Sequence, residues 1–421
     1  MPPPLRRLLL TGFEPFGEVT VNPSWECVKG LDGEVWRGRV LVRAVRLPVS
    51  WERGPARLSE EVASFRPDAV VMFGVAQKRA SVSLERVAAN RCDPVVRDKE
   101  GAAKSGMIDP AGPASRESTL PLERLKQALE RAGVPVEWSD DAGGYLCNRV
   151  FWEARAVFPG PAGFIHVPPF EAVGEETLRR GVRAAAEAVA FDDVPLAIAQ
   201  FAPKPGDVAA NLARIAGLFD EAAARGARLV LFPELATSGI ALGSKAEAAR
   251  FALQSKDAWV ALLRERVERS GVALALGAVE EGRHALFNSA FLFFPGREPL
   301  IYRKQRLFGH DFAWAQPGEG GGPWETPLGR IGVAICHDVV YSDIAAASRG
   351  CDLVLMPTNW IGDSGPEDYL AAFSAPVLAA DRTGEEDGIR FAGRGGLFEG
   401  DRRQGAGREG IEVIRWMKIS I

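Results

Sequence analysis

The chain has 421 residues, 47% of them apolar, and a formal net charge of -4 at neutral pH. That length suits two domains rather than one, and the apolar share lets both halves bury a core. The near-balanced charge gives no reason to expect nucleic acid or an anionic membrane as partner, and no run of about 18 apolar residues marks a spanning helix.

The opening stretch MPPPLRRLLLTGFEPFG carries an apolar run of about five residues, too short for the core of a signal peptide. Its RRLLLTG reads as a first β-strand. VLVRAVRL, DAVVMFG and AGFIHVP read as further short strands, and LPLERLKQALERAG and GEETLRRGVRAAAEAVA as amphipathic helices, the first closed by Gly133. The pattern is α/β. The second half restarts it: VPLAIAQFAP is a strand, DVAANLARIAGLFDEAAARG a helix closed by Gly226, and ARLVLFPEL a strand. The boundary is placed at FDDVP, residues 191–195, giving domains 1–192 and 193–421. No long Gly/Ser/Pro linker intervenes, so close coupling is expected.

The cysteines are Cys27, Cys92, Cys147, Cys336 and Cys351. An odd number, wide spacing and no CxxC argue against a disulfide framework or a zinc site and for free thiols in a reducing cytoplasm. Any catalytic imidazole must come from His166, His284, His310 or His337.

Two of the cysteines stand where a hydrolase places a nucleophile. Cys147, in GGYLCNRVFWEARA, follows Gly143 and Gly144 and opens a helix, whose N-terminal partial charge favours a thiolate. His166 ends the strand AGFIHVP and is positioned to act as base, with Glu85 in SLERVAAN as the carboxylate that fixes its tautomer. The structural alternative is that a small buried cysteine and a lone histidine belong to the core. In the second half, Glu234 ends LVLFPEL, Lys304 follows EPLIYRK and Cys336 ends RIGVAIC. Three ionisable groups at strand ends are expected to converge at one edge of a sheet. The glutamate would serve as base, the ammonium would favour the thiolate and a developing oxyanion, and the peptide N–H of His337 would be a second donor. Taken singly, each reads as an ordinary solvated strand end.

LLLTGFEPFGEVTVNPSWECVKGL, SLERVAAN, TLPLERLKQALERAGVPVEWSDDAGGYLCN and GFIHVP resemble the pyroglutamyl peptidase I family over roughly residues 5–190. The resemblance implies an α/β/α domain with a mixed twisted sheet, with Cys147 as nucleophile, His166 as base and Glu85 as orienting acid. It also implies that Phe13 and Phe16 stack on a flat lactam, although core packing explains them equally. Asn22, in the same opening stretch, joins them in the expected substrate-binding set. Gly74, Val75, Ala76, Gln77 and Lys78 stand where the family usually has a GQAGGR-like stretch. Val95 stands ten residues after Glu85, where the family tends to carry an oxyanion-linked arginine, and Arg91 and Arg97 are out of register. These departures point to a reduced or retuned peptidase.

LVLFPELATSG, LFNSAFLFFPG, YRKQRLF, GRIGVAICHDVVYSD and DLVLMPTNW resemble the nitrilase superfamily of carbon–nitrogen hydrolases over roughly residues 194–421. That resemblance implies an αββα sandwich which commonly dimerises, a Glu234–Lys304–Cys336 triad and a thioester intermediate, with no metal or cofactor. His337 and Asp311 would contact substrate, Asp311 as the nearest match to a further acidic residue of the family. After Trp360 the expected R-A-x-E-N-like helix is missing and the segment is shorter. The reading is therefore a bifunctional cysteine hydrolase acting on pyroglutamyl peptides and a small amide, expected to form a homo-oligomer. One active domain beside a degenerate one, and a non-catalytic scaffold, are the alternatives.

Overall fold

The computed structural model describes residues 5–17, 20–93, 97–253, 258–362, 367–400, 402–405 and 407–421. The chain divides into two compact units, one running to Asp192 and including Ile419–Ile421, the other Asp193–Lys418. Among the described residues no helix is long and apolar enough to cross a membrane.

The strands of the first unit are β1 (Arg6–Phe13), β2 (Val35–Trp36), β3 (Val40–Leu47), β4 (Ala69–Val75), β5 (Val82–Glu85), β6 (Val87–Ala89), β7 (Ser115–Glu117), β8 (Val136–Ser139) and β9 (Ala162–Val167). Seven of them form one mixed sheet in the order β2-β3-β1-β4-β9-β5-β8, and β6 pairs with β7. The centre is parallel, while β5 runs antiparallel to β9. The central strands are continuous apolar runs because both faces are covered. Leu8, Leu10, Val70, Val71 and Ile165 are essentially inaccessible to solvent. Helices Arg53–Phe65 and Leu146–Val157 pack on one core cluster, with Leu58, Val150 and Phe151 meeting Leu9, Val70 and Met72. Gly133 takes φ +75° just beyond the helix Leu122–Arg131, the left-handed stop its position in the sequence indicates.

No loop separates the helix Glu175–Ala190 from β10 (Phe191–Gln200), so the boundary residues FDDVP form the first half of a strand. The terminal residues Ile419–Ile421, expected in the second domain, belong to the first unit. There Ser420 N donates to Ala190 O at 3.0 Å and Ser420 Oγ to Val189 O at 2.9 Å.

The second unit continues with β11 (Leu229–Leu231), β12 (Ala273–Glu281), β13 (Leu286–Phe293), β14 (Leu300–Arg303), β15 (Trp324–Thr326), β16 (Gly329–Val333), β17 (Leu353–Thr358), β18 (Val377–Asp381), β19 (Thr383–Glu386), β20 (Ile389–Ala392), β21 (Gly396–Glu399), β22 (Arg402–Gln404) and β23 (Gly410–Ile419). Two six-stranded sheets result, β14-β13-β12-β11-β10-β23 and β15-β16-β17-β18-β21-β22. Alternation of side chains decides how they pack. Leu196, Ile198, Leu229 and Leu231 of the first sheet share a core with Ile331, Val333, Leu353 and Leu355 of the second. The intervening Ala197, Val230 and Phe232 face Ile215, Leu218 and Leu263 of the helices Val208–Ala224 and Ala258–Ser270. Val354 and Met356, on the outer face of the second sheet, meet Ile344 and Leu370. The unit is thus the αββα sandwich the resemblance implies. Truncating Leu231 or Leu355 to alanine in the middle layer would cost about 2–5 kcal/mol.

Candidate active sites

In the first unit the sheet register brings three groups onto one face. Ser83 pairs with His166 and Glu85 with Phe164 across β5 and β9, which sets Glu85 diagonal to His166 on the same side. The His166 Nδ1–H donates to Glu85 Oε1 at 2.7 Å, and both residues are buried. On the other flank Gly74 pairs with His166. A β-carbon on Gly74 would lie 2.6 Å from Phe164 Cζ and 2.8 Å from Cys147 Sγ, so the missing side chain makes room for the sulfur. Cys147 is the second residue of the helix Leu146–Val157, where backbone N–H groups lack intrahelical partners.

The electrostatics follow from this packing. Burial alone would lower the His166 pKa, but the adjacent Cys147 sulfur and the Glu85 carboxylate outweigh it and hold the imidazole at about 9. Burial works to raise the Glu85 carboxyl, yet its hydrogen bond to His166 and that residue's charge leave it below the usual range. The cluster can therefore hold a proton on His166 while the sulfur acts as nucleophile.

Three residues of this site went unrecognised in the sequence. Arg79 Nη1 donates to Glu85 Oε1 at 2.7 Å and Nη2 to Asp141 O at 3.0 Å. Asn148, beside Cys147 and buried, accepts from Ala89 N at 2.8 Å and donates to Ala89 O at 2.7 Å, pinning the helix start to β6. Tyr145 caps the helix, donates to Arg97 O at 3.1 Å, and has its phenol pushed up to about 12 by burial, Asp98 and Cys147. An asparagine directly after the cysteine, in the first turn of a helix, was the readable signal for Asn148.

The altered stretch after β4 closes without a glycine pair. Arg79 N donates to Ala76 O at 3.0 Å, and no residue from Val75 to Arg79 needs a left-handed backbone. Arg91 is bound to Asp141 at 2.9 Å and Arg97 to Gly101 O at 2.7 Å, so both are occupied elsewhere. Val95 lies outside the described residues. Of the expected substrate-binding residues, Phe13 is core-buried, while Phe16 is half-buried with its ring 6.4 Å from that of Tyr145. Asn22 is buried and its amide is committed: it accepts from Ser24 N at 3.1 Å and Ser24 Oγ at 2.8 Å, and donates to Glu14 O at 3.1 Å. It is the N-cap of the helix Pro23–Val28 and holds the backbone around Phe13 and Phe16.

In the second unit Glu234 follows β11 and Lys304 follows β14, both in the first sheet, whereas Cys336 follows β16 in the second. The expected convergence at one edge of a sheet is thus corrected: the groups meet because two sheets pack face to face. Lys304 Nζ donates to Glu234 Oε1 and to Asp311 Oδ2, each at 2.6 Å. Asn288 Nδ2 bridges the same carboxylates at 2.8 and 3.0 Å. Cys336 lines a cavity of about 620 Å3 together with Glu234, Lys304, Asp311 and Asn359.

Two turns of this site carry backbone strain. Cys336 has φ +42° and Leu235, next to Glu234, φ +48°. Close packing holds the second in place, since a β-carbon on Gly277 would lie 2.5 Å from Glu234 Cα. Asp338 holds the first: it accepts from Ile335 N at 2.9 Å, Tyr302 Oη at 2.9 Å and Arg306 N at 2.8 Å, tying the Cys336 turn to the segment after Lys304.

Burial pushes the Cys336 thiol far above its ordinary range, Glu234 adding to this and Lys304 opposing it. Burial would lower Lys304, but Glu234 and Asp311 overcome it and keep the ammonium charged. Burial also raises Glu234, against the pull of Lys304. The resting arrangement is a neutral thiol beside an ammonium and a carboxylate that is a stronger base than an exposed one.

Asp311 lines the cavity, yet both its oxygens are engaged by Lys304 and Asn288, so it supports the lysine first. The His337 ring packs 4.8 Å from Phe308 and 5.6 Å from Tyr341 and is absent from the described cavity lining. Asn288 and Asp338 escaped the sequence reading although both lie in motifs that resembled the family. A polar residue interrupting an apolar strand, as in LFNSAFLF, was the available signal for Asn288. The shortened segment after Trp360 lies partly outside the described residues, which resume at Glu367.

Residues 6–200 match the family described as pyroglutamyl peptidase, and residues 195–394 that described as carbon–nitrogen hydrolase. A pyrrolidone-carboxylate peptidase of Pseudomonas fluorescens (strain SBW25) is 37% identical over 194 residues, covering 43% of this chain and 91% of the relative. One from Thermococcus kodakarensis is 35% identical over 203 residues, covering 45% and 97%. The crystal structure of pyroglutamyl peptidase I from Bacillus amyloliquefaciens is similar at 30% identity and TM-score 0.42, covering 44% of this chain and 95% of that one.

Proposed function

The chain belongs to the pyroglutamyl peptidase family through residues 6–200 and carries a carbon–nitrogen hydrolase domain over residues 195–394, and from that premise we propose a hydrolase with two independent cysteine active sites. One removes N-terminal pyroglutamate from peptides and the other cleaves a C–N bond of an amide. The observation that carries the reading is that Cys147 and Cys336, the two cysteines that are only partly buried, each lie beside a buried acid–base pair, whereas Cys27, Cys92 and Cys351 are buried.

In the first site Cys147 gives its proton to His166, and the resulting thiolate attacks the pyroglutamyl carbonyl carbon. His166 then delivers that proton to the departing amine as the C–N bond breaks. The product is a pyroglutamyl thioester and a shortened peptide. Water then attacks the thioester, His166 takes a proton from it, and pyroglutamate leaves. Glu85 keeps Nδ1 protonated, so Nε2 is the nitrogen that faces the chemistry. Phe16 and Tyr145 offer aromatic faces beside the helix start for a flat lactam.

In the second site the thiol is neutral at rest and needs a base at the moment of attack. Glu234 accepts the Cys336 proton as Sγ adds to the amide carbon, and Lys304 stabilises the oxyanion. Glu234 passes the proton to the leaving nitrogen, leaving an acyl thioester. Water deprotonated by Glu234 attacks the thioester, the C–S bond breaks and the acid leaves, and Glu234 returns its proton to the Cys336 thiolate. Asp311 and Asn288 hold the lysine and glutamate in register.

The test is a pair of single substitutions in the full chain. Cys147→Ala is expected to abolish release from a pyroglutamyl chromogenic peptide and leave ammonia release from amides intact, and Cys336→Ala the reverse. Full peptidase turnover in Cys147→Ala would sink the assignment.

A further inference from the structure

The cavity at Cys336 has an uneven lining. Its apolar lining is Leu235, Ile240, Phe308, Phe312, Ile361 and Ile389. Phe308, Phe312 and Ile361 are 47%, 73% and 44% exposed, so this apolar surface is open to an incoming molecule. The polar side chains that line it are Glu234, Lys304, His310, Asp311 and Asn359. Among the described residues the lining contains no arginine, and its one lysine, Lys304, is already held by two carboxylates at 2.6 Å. His310, the remaining basic group, faces Asp387 at 3.6 Å.

These features act on the part of the substrate that does not react. A carboxylate on that part would lose water and find two carboxylates and no spare cation, a cost no contact in the lining offsets. A hydrocarbon would gain by leaving water, at about fourfold in affinity for each methylene buried. A volume near 620 Å3 is far more than acetamide fills and lies in the range of sites that enclose larger ligands. Resting on the reading of this domain as a carbon–nitrogen hydrolase, we propose that the Cys336 site takes uncharged amides bearing an aryl or medium-length alkyl group and rejects amides that carry a carboxylate. Selection comes from both the apolar wall and the missing counter-charge.

The experiment uses the full chain and two readouts. Protection of Cys336 from iodoacetamide, mapped by mass spectrometry, reports binding whether or not turnover occurs. Ammonia release reports turnover. The probes are acetamide, butanamide, hexanamide and phenylacetamide, with glutaramate as the carboxylate analogue of matched length. Protection is expected to strengthen about fourfold per methylene along the alkyl series, with glutaramate at least tenfold weaker than hexanamide. Ile361→Arg, which supplies a cation at the rim, is expected to narrow that gap. Equal or better protection by glutaramate overturns the proposal, as does no protection by any neutral amide. If the neutral series protects in the expected order but releases no ammonia, the substrate class stands and the hydrolase reading fails.

Discussion

Arg79 donates to the same oxygen of Glu85 that anchors His166, at the same 2.7 Å. Glu85 is thus held from two sides, by His166 and by a cation from the turn after β4. Arg79→Ala is expected to lower peptidase kcat about tenfold, the scale of one charge-assisted hydrogen bond, with Arg79→Lys recovering part of the loss. Amide hydrolysis at Cys336 should not change. Unchanged peptidase kinetics in Arg79→Ala would reduce the contact to a surface ion pair.

Gly74 sets where the sulfur lies. Gly74→Ala places a methyl 2.8 Å from Cys147 Sγ and 2.6 Å from Phe164, and one of them must move. Peptidase kcat should fall about a hundredfold, the usual effect of misplacing a reacting atom by about 1 Å. Thermal unfolding together with the kinetics separates this from loss of fold, since the amide activity of the same chain serves as an internal control.

The raised pKa of His166 fixes the sign of the pH response. Its proton is present through neutral pH and is lost as pH rises through about 9. Peptidase kcat/KM is therefore expected to fall on an alkaline limb near pH 9. Glu85→Gln removes one of the raising influences and should move that limb to lower pH, while Cys336-dependent turnover keeps its own profile. A limb that stays in place would mean another group controls it.

Lys304 is buried between Glu234 and Asp311. Lys304→Met leaves two carboxylates without their partner and is expected to destabilise the second unit by about 3–5 kcal/mol, besides abolishing amide hydrolysis. Asp311→Asn keeps the shape and one carboxylate. It should retain most of the stability and lose activity through a less firmly held ammonium. Chemical denaturation of the two variants gives the comparison.

Much of this was legible along the chain because the signals are local. The strand VLVRAVRL and the helix stops at Gly133 and Gly226 are written in periodicity and turn chemistry. Cys336, Glu234 and Lys304 stand out as polar residues at the ends of apolar runs, and Cys147 as a cysteine after a glycine pair at a helix start. What escaped is set by packing between distant segments. Arg79 reads as a loop cation until the turn at Ala76 aims it at Glu85. The meeting of Glu234 and Lys304 with Cys336 depends on two sheets facing each other, which no single strand announces. FDDVP was legible as the end of a helical pattern, while its backbone belongs to a strand whose pairing the sequence does not announce. Asn22 looked available for a ligand, and only the hydrogen bonds to Ser24 and Glu14 reveal a cap.

Two thiols with separate partners should form two separate acyl-enzymes, and trapping those intermediates is the most direct measurement. The full chain would be acid-quenched during turnover and the acylated cysteine mapped by mass spectrometry. A pyroglutamyl peptide is expected to leave its acyl group on Cys147 alone, and an amide such as hexanamide on Cys336 alone. Both acyl groups on one cysteine, or acylation of neither, would contradict a hydrolase with two independent sites.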